Sequence, residues 1–225
     1  MSSGDVIGRG RDCEILDYGD GKVLRRPFVA RSLAAEGEVM QYAHERGYPV
    51  PRYFGEADGG IVIERVDGPT MLDAMIRKPL LRVWGRQLAE LHRRLHEIEA
   101  PPGLRRLTRT GDRLLHVDLH PENVILTQTG PVVIDWSNAG VGEAGFDVAL
   151  AWVLMATSEI PQPQPLKTIA AGLRRLFVHH FVAAAGRDDA MAHLGAAGEY
   201  RRADPNVTAA ERDRVDDLVR RRLGT

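Results

Sequence analysis

The chain has 225 residues, 44% hydrophobic and 27% charged, with 30 Lys and Arg against 31 Asp and Glu for a formal net charge of −1. That balance excludes a globally basic nucleic-acid binder and an acidic disordered tail, and a single cysteine, Cys13, excludes an internal disulfide framework or a multi-cysteine metal cluster. The longest apolar run, Val148 to Ala156, is nine residues, against the about 20 that a membrane helix needs, and the N-terminus has no apolar signal-peptide core; the expectation is a cytoplasmic protein with neither a membrane nor a nucleic acid as partner.

In chain order, short extended runs come first: Val6–Ile7, Glu14–Leu16 and Lys22–Leu24. Gly8-Arg9-Gly10 and Gly19-Asp20-Gly21 separate them, and an Asp-Gly pair between extended runs signals a hairpin. Ser32 to Arg46 reads as a helix with Leu33, Val39, Met40 and Ala43 as a partial apolar stripe, stopped at Gly47. Pro49-Val50-Pro51 is extended by necessity, and Ile61 to Val66 is a further apolar strand after the turn Asp58-Gly59-Gly60. Past Gly68-Pro69 the pattern turns helical. Trp84, Leu88, Leu91, Leu95 and Ile98 share one helix face, and Pro101-Pro102-Gly103 ends it. Val124–Leu126 and Val132–Ile134 flank a turn at Thr129-Gly130-Pro131, a hairpin inside the helical region. Three more helices are predicted: Phe146 to Thr157, Leu166 to Ala185 with Leu166, Ile169, Leu173, Leu176, Phe177 and Phe181 on its core side, and Ala209 to Leu223 behind the capping-box pair Thr208 and Glu211. Pro161 to Pro165 reads as a loop. The sum is a small strand-rich lobe, a connector near residue 67, and a helical lobe carrying one hairpin.

Residues 116–135 carry the chemistry. Asp118 and Asn123 sit in a short polar loop with Pro121, and Asp135 ends the returning strand of the hairpin that follows. A hairpin brings its strand ends together, so Asn123 and Asp135 converge. Both offer hard oxygen ligands, which suit Mg²⁺ with its water- and phosphate-completed shell, and Asp118 stands beside them as a third oxygen-bearing group. Phosphoryl transfer uses such an arrangement: ions on the phosphates and an acceptor that orients the attacking hydroxyl.

His116-Val117-Asp118-Leu119-His120-Pro121-Glu122-Asn123 resembles the catalytic loop of the aminoglycoside phosphotransferase and choline kinase group, and Val133-Ile134-Asp135-Trp136 resembles its metal-binding strand end. Gly145-Phe146-Asp147 resembles the segment that follows. The resemblance implies the protein-kinase-like fold, α+β and two-lobed: residues 1–66 as a nucleotide-binding lobe and residues 67–225 as a catalytic and substrate-binding helical lobe. It implies Asp118 as the catalytic residue and Asn123 and Asp135 as Mg²⁺ ligands. Gly8-Arg9-Gly10 through Cys13 to Ile15 follows the register of a kinase glycine-rich loop, whose backbone N–H groups lie over phosphates. Val23-Leu24-Arg25 resembles the third strand, with Val23 against the base and Arg25 toward the phosphates, where protein kinases carry lysine; arginine keeps the charge but differs in shape and reach. Alternation puts Val23 and Arg25 on one strand face and Lys22 on the other. Glu36 matches the glutamate that pairs with that cation, and Ile61 to Gly68 resembles the strand and hinge that hold adenine through the Glu64 C=O and the Val66 N–H.

The expected activity is transfer of the γ-phosphate of ATP or GTP to a hydroxyl of a small molecule. The alternatives are a nucleotide-binding pseudoenzyme, motivated by Arg25 and Cys13, and a metallohydrolase built on His116, Asp118 and His120. His116 reads as a loop-shaping residue, and Asp147 as a buried acceptor that stiffens the loop or as a charge at a helix N-terminus. His92 and His96, four apart without the glutamate of a zinc protease motif, read as a solvated face. From Ile160 onward the chain carries 8 Asp and Glu against 11 Lys and Arg, which gives no support for a strongly acidic pocket for polycationic antibiotics.

Overall fold

The computed structural model describes residues 4–10, 12–159 and 164–224. The N-terminal lobe is a five-stranded antiparallel sheet: β1 (Val6–Arg9), β2 (Cys13–Gly19), β3 (Lys22–Pro27), then helix α1 (Ala34–Glu45), then β4 (Tyr53–Ala57) and β5 (Gly60–Glu64), in the spatial order β1-β2-β3-β5-β4. Gly19, Asp20 and Gly21 all have positive φ, at 76°, 50° and 69°, the tight reversal that the sequence signals between β2 and β3. Alternation gives the sheet two faces. Leu16, Leu24 and Val62 form a small cluster on one, while Cys13, Val23, Ile61 and Ile63 join the main core on the other. Strand β4 has no counterpart among the predicted elements. It is an edge strand, broken by a register shift between Tyr53 and Gly55, and Gly55 at φ 118° disrupts the alternation that would mark it. Helix α1 approaches this edge closely: a Cβ on Gly37 would stand 2.4 Å from the Tyr53 ring. That contact fixes the neighbouring Glu36 over the sheet.

The second lobe is mainly helical. Helix α2 (Met71–Arg77), unpredicted, starts at a capping box formed by Thr70 and Asp73. Helix α3 (Leu81–Leu95) buries Leu88, Leu91 and Leu95 as its periodicity requires. After α3 come β6 (Arg113–Leu115), a single 3₁₀ turn at Pro121–Asn123, the hairpin β7 (Val124–Thr127) and β8 (Gly130–Val133), and β9 (Gly140–Gly142), which pairs with β6. The hairpin turn falls at Gln128-Thr129, because Gly130 pairs with Thr127 and Pro131 stands opposite Leu126. Four further elements follow α4 (Ala144–Thr157): α5 (Leu166–Ala185), α6 (Arg187–Ala192), α7 (Leu194–Ala203) and α8 (Ala209–Leu223). Helix α4 is buried on nearly all sides, as an apolar run without periodicity must be. The short strands β6 and β9 and the helices α6 and α7 are also unpredicted; most of the Pro161–Pro165 loop lies outside the described residues.

Helix α5 corrects one expectation. Leu166, Ile169, Leu173 and Leu176 are 44–58% exposed, and the buried residues are Phe177, Val178, Phe181 and Val182. Helix α3 crosses the C-terminal half of α5, where a Cβ on Gly85 would lie 2.8 Å from the Phe181 nitrogen. Periodicity shows which residues share a face, but not how far along a 20-residue helix a neighbour reaches. No helix among the described residues is long and apolar enough to cross a membrane.

One hydrophobic cluster runs through both lobes, from Val23, Ile61 and Ile63 to Leu95, Leu115 and Trp136. The segment at residues 48–51 joins them. The Tyr48 hydroxyl donates to the Leu91 C=O, its ring meets Trp136 edge-on at 5.6 Å, and the Val133 N–H donates to the Pro49 C=O. On the other side the Leu126 N–H donates to the Pro69 C=O. The hairpin that carries the candidate site is therefore held from both ends of the sheet-to-helix passage.

Candidate active site

Two residues other than glycine in this region have left-handed backbones: Val117 at φ 72° and Asp135 at φ 65°. A β-branched residue at positive φ is costly and needs compensation. Asp147, at the first turn of α4, supplies it at Val117. Its Oδ1 accepts from the Val117 N–H at 2.7 Å, and its Oδ2 from the His116 N–H at 3.2 Å and from His96 Nε2 at 2.9 Å. Burial pushes the Asp147 carboxyl up, but the His96 hydrogen bond and the surrounding imidazoles of His96, His92 and His116 outweigh it and hold the group well below the usual carboxylate range. Asp147 thus fixes the backbone immediately before Asp118.

His116 is fully buried, donates through Nε2 to the Ile134 C=O at 3.1 Å and packs on Trp136. It ties the loop to the strand end, as the sequence reading has it, and burial lowers its pKa. His92 and His96 overturn theirs: they are not a solvated face. His92 is 0% exposed and the His96 side chain 8%, and both turn toward Asp147, His92 Nδ1 at 3.7 Å. Gly85, Leu88, Ala89, His92 and Leu95 follow one three-to-four spacing on α3, so the signal was present, but histidine hid it. His92 donates through Nε2 to the Leu119 C=O at 3.3 Å, leaving Nδ1 buried and unpartnered; burial pushes its pKa down to about 4.

The predicted site residues fall into two adjoining groups. Asn123 Nδ2 donates to the Asp118 backbone C=O at 2.8 Å and lies 3.4 Å from Asp118 Oδ2 and 3.3 Å from His120 Nε2. The Ile134 N–H donates to the Asn123 C=O at 3.0 Å, so Asp135 follows directly on a residue bonded to Asn123. Asp135 Oδ1 accepts from Ser137 Oγ and from Arg25 Nη2, each at 2.9 Å. Arg25 Nε is 3.3 Å from Glu36 Oε1, an ion pair outside hydrogen-bond alignment, and Arg25 Nε and Glu36 Oε2 are both buried with no hydrogen-bond partner. Arg25 therefore joins strand β3, helix α1 and the end of the hairpin. Burial would lower its pKa, but Glu36 and Asp135 raise it further. Burial raises Glu36 against the opposing pull of Arg25, and Asp135 ends lower than usual because Arg25 and Ser137 outweigh its burial.

The other residues expected on the nucleotide side lie on the same sheet and at its exit. Ile15 stands opposite Arg25 in the β2–β3 register, and Val23 opposite Ile63. Glu64 ends β5, and its N–H donates to the Arg52 C=O at 2.8 Å. The Arg65 N–H donates to the Gly21 C=O at 2.9 Å, which pins the strand between Glu64 and the half-buried Val66. Gly10 N–H closes a turn on the Cys13 C=O at 2.8 Å, and Cys13 itself is buried, its thiol pushed up by that burial. Residues missed in the sequence are Ser137 on Asp135 and the His92–His96 pair under the loop.

The donor chemistry suits a hard divalent cation. Asn123 spends its amide nitrogen on the Asp118 loop, which leaves its carbonyl oxygen as an acceptor, and Asp135 keeps Oδ2 beyond the contacts of Oδ1. The Asp118 and Asp135 side chains are 26% and 35% exposed, open to a ligand.

Residues 15–114 and 104–188 match the phosphotransferase enzyme family (APH). The chain belongs to that family. A solved structure of a thermostable mutant of aminoglycoside phosphotransferase APH(4)-Ia, apo form, superposes with a TM-score of 0.62 at 17% identity, covering 100% of this chain and 97% of that one. Plasmodium vivax ethanolamine kinase gives 0.62 at 12% identity, covering 97% and 83%. A choline/ethanolamine kinase family protein from Mesorhizobium loti gives 0.55 at 16%, covering 98% and 86%. These likenesses carry the fold. In sequence, 39 residues are 44% identical to thiamine kinases of Salmonella paratyphi B and Salmonella newport, 17% of this chain and only 14% of the length of those relatives. The phosphotransferase family chain has the two-lobed kinase-like architecture that the resemblance of residues 116–136 implies.

Proposed function

We propose that the protein is a small-molecule kinase that transfers the γ-phosphate of ATP or GTP to a substrate hydroxyl with Mg²⁺, residues 1–66 binding the nucleotide and residues 67–225 supplying catalysis and the substrate site. The observation that carries this reading is the Arg25 guanidinium held between Glu36 and Asp135, directly beside the Asp118–Asn123 loop. Asn123 and Asp135 would hold the cation, which when bound neutralises phosphate charge. Arg25, aligned by Glu36, turns its fork to the phosphates. Asp118 accepts or orients the hydroxyl proton of the substrate, with Asn123 fixing its loop. Ile15 and Val23 cover the base, and the Glu64 C=O and Val66 N–H hold its polar edge. The chemistry rests on positioning and charge, since a transferring phosphoryl group needs little covalent help. The acceptor is a small hydroxyl compound of the kind that related kinases use.

The test is a phosphotransfer screen of the purified chain with γ-labelled ATP or GTP and Mg²⁺ over thiamine, ethanolamine, choline and aminoglycosides, read as label on the acceptor. Label on any of them that requires Mg²⁺ is the expected result; nucleotide binding with no transfer to any acceptor overturns the enzyme reading. That outcome would favour the second reading, a nucleotide-binding pseudoenzyme in which Arg25 stays on Asp135 Oδ1 at 2.9 Å.

A further inference from the structure

The C-terminal helices border a cavity that the phosphotransfer residues do not use. It measures about 860 Å³ and lies between the C-terminal end of α4, helix α5 and helix α8. Asp118, Asn123 and Asp135 are not in its wall. Asp147 under the catalytic loop stands in the first turn of α4, whereas Thr157 on the cavity wall ends that helix, roughly 15 Å further along its axis.

The wall carries six arginines, Arg174, Arg175, Arg187, Arg214, Arg221 and Arg222, and a single carboxylate, Asp217. Two of them serve the fold. Arg174 Nη1 donates to the Ser158 C=O and Arg214 Nε to the Thr157 C=O, which caps the negative end of α4. Each still has N–H groups beyond that contact, because a guanidinium has five. Arg222 lies over the Trp152 ring at 5.4 Å, and Arg187 meets His179 rather than an acid. Of these six, Arg221 alone has a carboxylate among the described residues within ion-pair distance, Asp217 at 3.6 Å. Burial and, after it, the charge of Arg214 hold Arg174 below the ordinary arginine range. A fold that needed only a helix cap would not gather six guanidinium groups around one space.

We propose that this cavity binds a phosphate-bearing anion, gripped by the planar forks of Arg174, Arg214, Arg175 and Arg221. Guanidinium matches phosphate oxygens two at a time, and the volume is that of a small-ligand site. Such phosphate comes either from a soluble metabolite or from a lipid headgroup. The exposed Leu166, Ile169, Leu173 and Leu176 on the same helix, the last in the cavity wall, keep the second source in play.

The experiment is titration of the full chain with inorganic pyrophosphate, without divalent ions, by calorimetry, alongside flotation with phosphatidylglycerol or phosphatidylcholine vesicles. Pyrophosphate binding that weakens roughly tenfold or more in Arg175→Glu/Arg221→Glu and survives Arg25→Ala, which strips the catalytic cleft of its phosphate-facing cation, supports the site with a soluble ligand. Flotation with phosphatidylglycerol alone, lost in the same double variant, supports it with a lipid source. Absence of binding in both arms, or binding that the double variant leaves intact, overturns it. Arg175 and Arg221 are exposed and neither caps α4, so the fold survives; Arg175→Ser/Arg221→Ser repeats the test should charge reversal disturb folding.

Discussion

Asp135 and Asp147 are two carboxylates held below their ordinary range by opposite means. Asp135 is 35% exposed and meets a guanidinium and a hydroxyl, partners that a ligand can displace. Asp147 is 1% exposed and meets two backbone N–H groups and an imidazole, partners that nothing can replace. The first lies on the accessible surface where we propose that a cation binds. The second belongs to the support beneath it, which keeps Val117 in a left-handed backbone. The difference teaches that a lowered carboxylate can be open to a ligand or sealed within a support, and that access tells the two apart.

The sharpest way to break this comparison is Asp147→Ala. It leaves the His116 and Val117 N–H groups buried without an acceptor, and the expected loss is about 3–5 kcal/mol in urea unfolding, with activity lost alongside. A loss under about 1 kcal/mol would remove the support role.

Acid sharpens it next. His92 has a folded pKa of about 4 against an ordinary 6.5, and His116 shifts in the same direction. The unfolded chain therefore binds protons that the folded chain refuses. Stability is full above pH 6.5 and falls as pH drops toward 4, by on the order of 3 kcal/mol from His92. Asp147 adds a further loss only below its ordinary value of 3.8. In unfolding curves across that range, His92→Phe should flatten the slope between pH 6.5 and 4; an unchanged slope would contradict the buried neutral imidazole.

Asp135→Ala should separate the two carboxylates. Stability changes by under about 1 kcal/mol, because the lost partner is partly solvated and Arg25 keeps Glu36, while Mg²⁺-dependent nucleotide binding weakens sharply in a fluorescence titration. Unchanged Mg²⁺ dependence would count against its ligand role. The smallest effect contrasts the two halves of α5. Leu173→Gln should shift the unfolding free energy by no more than about 0.5 kcal/mol, and Phe181→Ala should cost about 3–5 kcal/mol.

The juxtaposition of the proposed binding residues was legible because it is written in residue types at fixed spacing: Asp118, Asn123 and Asp135 around one hairpin, and Arg25 and Glu36 ahead of them. The hairpin itself shows in Val124–Leu126 and Val132–Ile134, since two apolar runs around a glycine leave few alternatives. The support layer was legible in part: His116 reads as loop-shaping and Asp147 as a buried acceptor, as they are, but the burial of the two α3 histidines was not legible. His92 and His96 look like a polar face, and only the packing of α3 on the loop at residues 116–123 turns them inward. The α5 stripe fails for the mirror reason: its leucines have the right period, but among the described residues no element covers them and they stay exposed. The three-residue strands β6 and β9 are set by pairing with each other across a long sequence separation, which local pattern does not record, whereas edge strand β4 pairs with its neighbour β5 but loses its alternation at Gly55.

The most direct measurement of the central claim is phosphotransfer by Asp118→Ala beside its nucleotide affinity in the same preparation. Orientation of the acceptor hydroxyl by Asp118 predicts a rate lowered roughly 10²–10⁴-fold with nucleotide affinity and fold retained. A variant that transfers phosphate as fast as the unmodified chain would contradict it.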